Sequence, residues 1–344
     1  MRGLGRSRKG GAWVLAGLVI AAGLWLAFKP APATPAERLV CLEPEPITNT
    51  NAKHPGMVWV PAGSFEFGDT VYPEETPVQK TAVAGFWMDR SEVTNAQFAA
   101  FVQATGYVTV AERAVDLALH TDLPAEMQKP GAVVFISPAD LRGGGDPRQW
   151  WQYVAGASWR HPGGPASGIE GRENFPVVAV AIEDAQAYAK WRGTALPSEA
   201  QWEWAAGGGQ TGNGAPQIPA QPQEANTWQG MFPLANQAAD GFAGVAPVGC
   251  FKPNAFGLFD MIGNVWELTG DRYTESHSPR DNIPPDASPA AQRPGPVQGR
   301  HVIKGGSFLC APNYCMRYRP GARQAQEDDL ASSHLGFRTI LQTP

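Results

Sequence analysis

Hydrophobic positions are spread unevenly along the chain. Residues 12–28 form one uncharged apolar run behind Arg2, Arg6, Arg8 and Lys9, and no second run of this kind follows. Its 17 residues reach roughly 26 Å at the helical rise, borderline for a bilayer. A basic flank before such a run reads as a targeting segment over residues 1–33. It is either a signal peptide cut near Ala31-Pro32-Ala33 or a retained signal anchor with the body outside. Residues 34–56, Pro- and Ala-rich and then polar, read as a linker, and the folded body is expected over 57–344.

Within the body the apolar positions come in short clusters. Met57-Val58-Trp59-Val60, punctuated by Pro61 and Gly63, predicts a strand, and Phe86-Trp87-Met88 a second. Thr94 with Gln97 makes a capping box ahead of Phe98, Phe101 and Val102, which line one helical face up to Gly106. A second helix fits 184–192, closed by Gly193, and a third runs from the Ser198/Gln201 capping box to glycines 207–209. The rest reads as loops, with the Pro-rich stretch 279–296 a surface excursion. No fixed-period repeat emerges.

Composition agrees with this picture. Gly 39 and Pro 32 make up about a fifth of 344 residues, beside 12 Trp, which points to a loop-built body pinned by aromatic anchors. The formal charge is −5, and −9 without residues 1–28, so no basic face for nucleic acid is expected. An exported body meets an oxidising compartment, where the four cysteines admit three pairings. Cys310 and Cys315 stand five positions apart around Pro312. Such a pair can close a disulfide or offer two thiolates to a soft, low-coordinate ion, above all Cu(I). The six histidines are scattered, which argues against a His-rich metal set and against zinc.

Several motifs together resemble the formylglycine-generating enzymes, or sulfatase-modifying factors. They are Gly305-Gly306-Ser307-Phe308-Leu309-Cys310, Tyr314-Cys315-Met316-Arg317-Tyr318-Arg319 and Leu335-Gly336-Phe337-Arg338. The likeness extends back through Gly257-Leu258-Phe259-Asp260-Met261-Ile262-Gly263-Asn264-Val265-Trp266-Glu267, Leu196-Pro197-Ser198-Glu199, Trp159-Arg160-His161-Pro162 and Glu92-Val93-Thr94-Asn95 to Met57. The cysteine pair is its most specific part. The resemblance implies a single α+β, loop-rich domain related to C-type lectin folds. It implies a Cu(I)- and O2-dependent oxidase that converts a cysteine within Cys-x-Pro-x-Arg of an unfolded sulfatase into Cα-formylglycine.

By position, the resemblance makes Cys310 and Cys315 the copper thiolates and Ser307 the polar group beside the reacting centre. It places Trp266 near the oxygen pocket and Tyr314 in the cleft, and gives Arg338 a structural part. It also implies two structural Ca²⁺ sites, one from Asn226, Thr227, Asp240 and Phe242, the other from Asp260, Gly263, Val265 and Glu267, all offering hard oxygens. Departures are the Gly/Gln/Pro-rich stretch 207–224, Asp260 where relatives carry Asn, and Pro320 where some eukaryotic relatives have a disulfide cysteine. Cys41 and Cys250 are free to pair instead. The alternatives are a non-catalytic binding member of the same superfamily and an iron-dependent oxidoreductase. Without a Lys-Asp-Glu-Leu ending, the expected location is the bacterial periplasm, or the inner membrane with the body facing it.

Overall fold

A computed structural model describes residues 41, 54–115, 123–141, 145–210, 224–277 and 299–342. The segment 1–33, nearly all of the linker and the 279–296 excursion lie outside them. Among the described residues no helix is long and apolar enough to cross a membrane.

The two expected opening strands form as β1 (Met57–Val60) and β4 (Phe86–Asp89), antiparallel with Trp59 opposite Trp87. Between them β2 (Gly63–Phe67) and β3 (Gln79–Val83) make a hairpin sheet. The first helix, α1 (Asn95–Thr105), has the reciprocal cap: Thr94 Oγ1 accepts from Gln97 N, and Gln97 Oε1 accepts from Thr94 N. Its apolar face puts Phe98 and Phe101 beside Trp159, Tyr188 and Phe337 in the main core. After β5 (Gly131–Phe135) and β6 (Trp151–Ala155), an antiparallel pair, comes α2 (Ile182–Arg192). This helix begins two residues before the expected 184. Asp184 is its third residue, and its carboxylate accepts from Ala181 N to cap the first turn. Helix α3 (Glu199–Ala206) follows its capping box as expected, with Trp202 and Trp204 in a second core cluster with Phe86 and Met88.

The carboxyl-terminal half holds the short hairpin β7 (Gly230–Met231) and β8 (Ala235–Asn236), then β9 (Trp266–Arg272), β10 (Arg300–Lys304), β11 (Gln324–Glu327), β12 (Leu335–Gly336) and β13 (Ile340–Gln342). Strands β11, β10, β9 and β12 form a four-stranded sheet in that order, and β13 returns to pair with β4. Few elements are long, so buried ions stand in for missing regular structure. Arg338 donates from Nε and Nη2 to both Glu267 oxygens at 2.7 Å, and to the Phe259 and Asp89 carbonyls. Lys304, fully buried, meets Glu203 at 2.8 Å and Glu199 at 3.4 Å, and Arg323 forks onto Glu199. Burial alone would raise Glu199, but Lys304, His277 and Arg323 outweigh it and hold the carboxyl at about 2. Cys41 and Cys250 are joined as a disulfide packed with Phe242 and Phe251.

Candidate active site and metal centres

Strand β10 ends at the anchored Lys304 and runs into Gly305 and Gly306, both in the left-handed region at φ 93° and 75°. A Cβ on Gly306 would lie 3.0 Å from the Arg317 carbonyl oxygen and 3.2 Å from the Cys310 sulfur, so only glycine lets this turn lie against the thiol. Ser307 follows, fully buried, its Oγ accepting from Leu309 N at 3.3 Å and its carbonyl from Cys310 N at 2.9 Å. Trp228 N donates to the Cys310 carbonyl, and the Tyr314 and Cys315 amides both donate to the Ala311 carbonyl, folding the loop back. Cys310 and Cys315 thereby meet with Cα atoms 4.6 Å apart and their sulfurs bonded.

The pair forms part of the wall of a cavity of about 290 Å³. All five residues expected at the reacting centre (Cys310, Cys315, Ser307, Trp266 and Tyr314) line it. Trp266, at the start of β9, is buried and anchored by its amide to the His334 carbonyl at 2.8 Å. Tyr314 lies half out of the protein at the rim, stacked on Phe232 at 4.0 Å and accepting from Trp151 Nε1 at 3.4 Å. Arg338 is not among the residues lining the cavity and holds Glu267, the structural part expected of it. The wall also contains Arg317, which stands in the motif around Cys315 but was given no role there, and Trp151, Gln324, Gln326, Ser332 and His334, none singled out by the sequence. The one available signal was His334, two residues ahead of Gly336-Phe337-Arg338. Burial pushes its imidazole down to about 3, so it is neutral at any working pH.

The donor chemistry of the cysteine pair suits a soft ion: two sulfurs, buried, with no carboxylate among the described residues that line the cavity. Such an ion requires the pair reduced, since thiolates and not a disulfide are ligands. The first expected calcium set is gathered. Asp240 accepts from Thr227 N and Phe242 N, and burial raises its carboxyl against those hydrogen bonds. Asn226 Oδ1, beside them in sequence with Thr227, is buried without a partner, a spare oxygen suited to a hard cation.

The second set is only partly available. Glu267 already accepts three hydrogen bonds, two from Arg338 and one from Trp202 Nε1 at 2.8 Å, of the roughly four a carboxylate takes. Asp260, in the left-handed region, instead shares its surroundings with Glu92, whose Oε2 is buried and unpartnered. Burial pushes Asp260 up to about 6; burial and Asp260 push Glu92 well above its usual range. Glu92 Oε1 accepts from Asn264 Nδ2, and Asn264 Oδ1 accepts from Asn226 Nδ2, so one buried chain links the two sets. Among the described residues no group of three or more His, Cys, Asp or Glu is placed to hold a metal ion, so any cation here relies on amide and carbonyl oxygens as well.

Residues 43–343 match the family described as Sulfatase-modifying factor enzyme 1-like domain. A formylglycine-generating enzyme of Mycobacterium tuberculosis is 49% identical over 294 residues, covering 83% of this chain and 97% of that protein. One from Mus musculus is 41% identical, covering 82% and 74%. A Bos taurus protein named inactive C-alpha-formylglycine-generating enzyme 2 is 36% identical, covering 84% and 88%. Among solved structures, PvdO from Pseudomonas aeruginosa aligns with a TM-score of 0.52 over 85% of this chain and all of that one, at 24% identity, a likeness of fold alone. With the family matched over most of its length, and enzymes of that name among its near relatives, the chain belongs to the sulfatase-modifying-factor, or formylglycine-generating enzyme, family.

Proposed function

We propose that this chain converts the cysteine of a Cys-x-Pro-x-Arg segment in an unfolded sulfatase into Cα-formylglycine, with O2 as oxidant and Cu(I) held by the Cys310 and Cys315 thiolates. The observation that carries this reading is that Cys310, Cys315, Ser307, Trp266 and Tyr314 line one cavity. The relatives named for that conversion support the sulfatase substrate. When bound, the copper supplies activation of O2 for oxidising an unactivated C–H bond.

The chain's own residues do the rest. The Gly305-Gly306 turn and the Trp228 amide fix Cys310, while burial of both sulfurs keeps water from the thiolates once reduced. Ser307, held between Leu309 N and Cys310 N, keeps a hydroxyl three residues before the first sulfur, placed to orient a substrate thiol. Trp266 makes an apolar wall where a small gas molecule fits. Tyr314 and Phe232, stacked at the rim, offer a flat apolar platform to the incoming chain. Structural Ca²⁺ at the Asn226/Asp240 set, and at Asp260 with Gly263 and Val265, would offset the carboxylates that burial leaves raised.

Action outside the cytoplasm, in the periplasm or tethered facing it by residues 1–33, is supported by the basic-then-apolar amino terminus and by the Cys41–Cys250 bridge. The competing reading, a non-catalytic member, draws on the inactive bovine relative; retention of both cysteines in the cavity weighs against it. The test is full-length protein, reduced and loaded with Cu(I), incubated in air with a Cys-x-Pro-x-Arg peptide and followed by mass spectrometry. Aldehyde formation that stops without O2 or with a Cu(I) chelator is expected. Tight copper binding with no conversion of any such peptide would refute the proposal.

A further inference from the structure

The loop that carries the cysteine pair is tied to the β7–β8 hairpin through one side chain. Asn313, between Cys310 and Cys315, donates from Nδ2 to the Phe232 carbonyl at 3.1 Å and to Met231 Sδ at 3.6 Å. Both partners belong to the hairpin turn, where Leu234 N donates to the Met231 carbonyl at 2.9 Å and Met231 pairs with Ala235. Phe232 is buried with Trp150 and Trp228, and Ser137 Oγ donates to the Pro233 carbonyl at 2.7 Å, so the turn is anchored. Its backbone keeps the Met231 thioether beside Asn313 while leaving that residue 61% exposed.

Exposure singles out this sulfur for oxidation. Met88 and Met261 are buried, and Met57, Met127 and Met316 are partly covered, so Met231 is the most open of the described methionines. In the disulfide form all four cysteines are paired, and no thiolate competes for an oxidant. A peroxide is the reagent that suits a thioether. The sulfur lone pair attacks one peroxide oxygen, an S–O bond forms as the O–O bond breaks, and the second oxygen leaves as water with both peroxide protons. Sulfur gives up two electrons and the peroxide takes them.

The product changes the contact with Asn313. A thioether is a weak acceptor, so the Asn313 N–H gains little from it. The sulfoxide is polar and puts an oxygen acceptor on the same sulfur. Met231 belongs to no core cluster of the described residues, so a polar group there disrupts no packing.

We propose that Met231 is a site of reversible peroxide oxidation, and that its sulfoxide oxygen accepts from Asn313 Nδ2 and latches the Cys310–Cys315 loop to the β7–β8 hairpin. The loop is otherwise closed by its own bonds, from the Tyr314 and Cys315 amides to the Ala311 carbonyl at 3.0 and 2.9 Å. Exchange of those two amides with solvent therefore reads how often the loop opens.

The test uses full-length protein in the disulfide form and needs neither copper nor a peptide. After brief treatment with hydrogen peroxide, mass spectrometry of the digested protein should find one added oxygen on Met231 before any other described methionine. Hydrogen exchange of the Tyr314 and Cys315 amides should then slow about fivefold, the worth of one neutral hydrogen bond. Treatment with the two methionine sulfoxide reductases, one for each epimer, should restore the original rate. Met231→Leu should show no slowing after peroxide. Asn313→Ala should still take up oxygen at Met231, yet its oxidised and untreated forms should exchange alike. Earlier oxidation of another described methionine would overturn the site. Exchange that is unchanged or faster in oxidised wild type, or slowed equally in oxidised Asn313→Ala, would overturn the latch.

Discussion

Replacing Gly306 by alanine probes how closely the turn before Cys310 sets the position of its sulfur. Two costs arise. The backbone at φ 75° is left-handed, which costs an alanine about 1–2 kcal/mol. The new methyl would also stand 3.0 Å from the Arg317 carbonyl oxygen and 3.2 Å from the Cys310 sulfur. A backbone carbonyl cannot swing aside as a flexible side chain can, so overpacking adds about 1–3 kcal/mol. Gly171 supplies the control, since it has φ 72° and nothing lies within 4 Å of the place its methyl would take. Gly171→Ala therefore carries the first cost alone. Urea denaturation of the disulfide form should show a loss of about 1–2 kcal/mol for Gly171→Ala and about 2–5 kcal/mol for Gly306→Ala. In the peptide-conversion assay Gly171→Ala should match wild type. Gly306→Ala should fall roughly tenfold or more, because a misplacement of about 1 Å at reacting groups can cost about a hundredfold in rate. Equal stability losses and equal conversion in the two variants would refute the claim that close approach, and not φ alone, reserves position 306 for glycine.

Other consequences are as concrete. Burial raises Asp184 to about 6, above its unfolded value near 3.9, so its contribution is fully present below about pH 4 and is lost as pH rises through 6. Asp184→Asn, measured by denaturation at pH 3 and pH 7, should therefore gain about 3 kcal/mol on wild type between those two pH values. A pH-independent difference would remove that assignment. Cys250→Ser opens a bridge that spans 209 residues and should cost up to about 5 kcal/mol, read as a lower melting temperature under oxidising conditions. Excess Ca²⁺ should raise the melting temperature of wild type, with about 2.7 kcal/mol of stabilisation at a hundred times Kd, and Asp240→Asn should shift the required concentration upward. An unshifted midpoint would separate Asp240 from calcium.

What could be read from the sequence followed the range of the interactions involved. The caps of α1 and α3 are written in four consecutive residues each, so Thr94/Gln97 and Ser198/Gln201 announced them. The cysteine pair lies five residues apart and its loop closes on itself, which made its meeting legible too. Asp184 looked like a helix start because a carboxylate there caps from inside the first turn as readily as from its edge. Strand β11, Gln-Ala-Gln-Glu, has no apolar alternation to reveal it, because its inward face meets a polar cavity and not a core. His334 and Ser332 gain their meaning from β5, some 200 residues earlier, and Glu92 from Asp260 and Asn264 across a similar gap. Glu267 shows the converse. A carboxylate in a motif reads the same whether it is destined for a cation or for Arg338, and only the packed structure counts its remaining lone pairs.

Whether Cys310 and Cys315 act as a pair on one soft ion and one substrate cysteine is decided by two quantities measured side by side. Cu(I) stoichiometry and peptide conversion are followed in wild type, Cys310→Ala and Cys315→Ala, each reduced before loading. One tightly held Cu(I) and aldehyde product are expected in wild type, with both lost in either single variant. Conversion that persists in one of the variants would show that the two thiolates do not work as a pair.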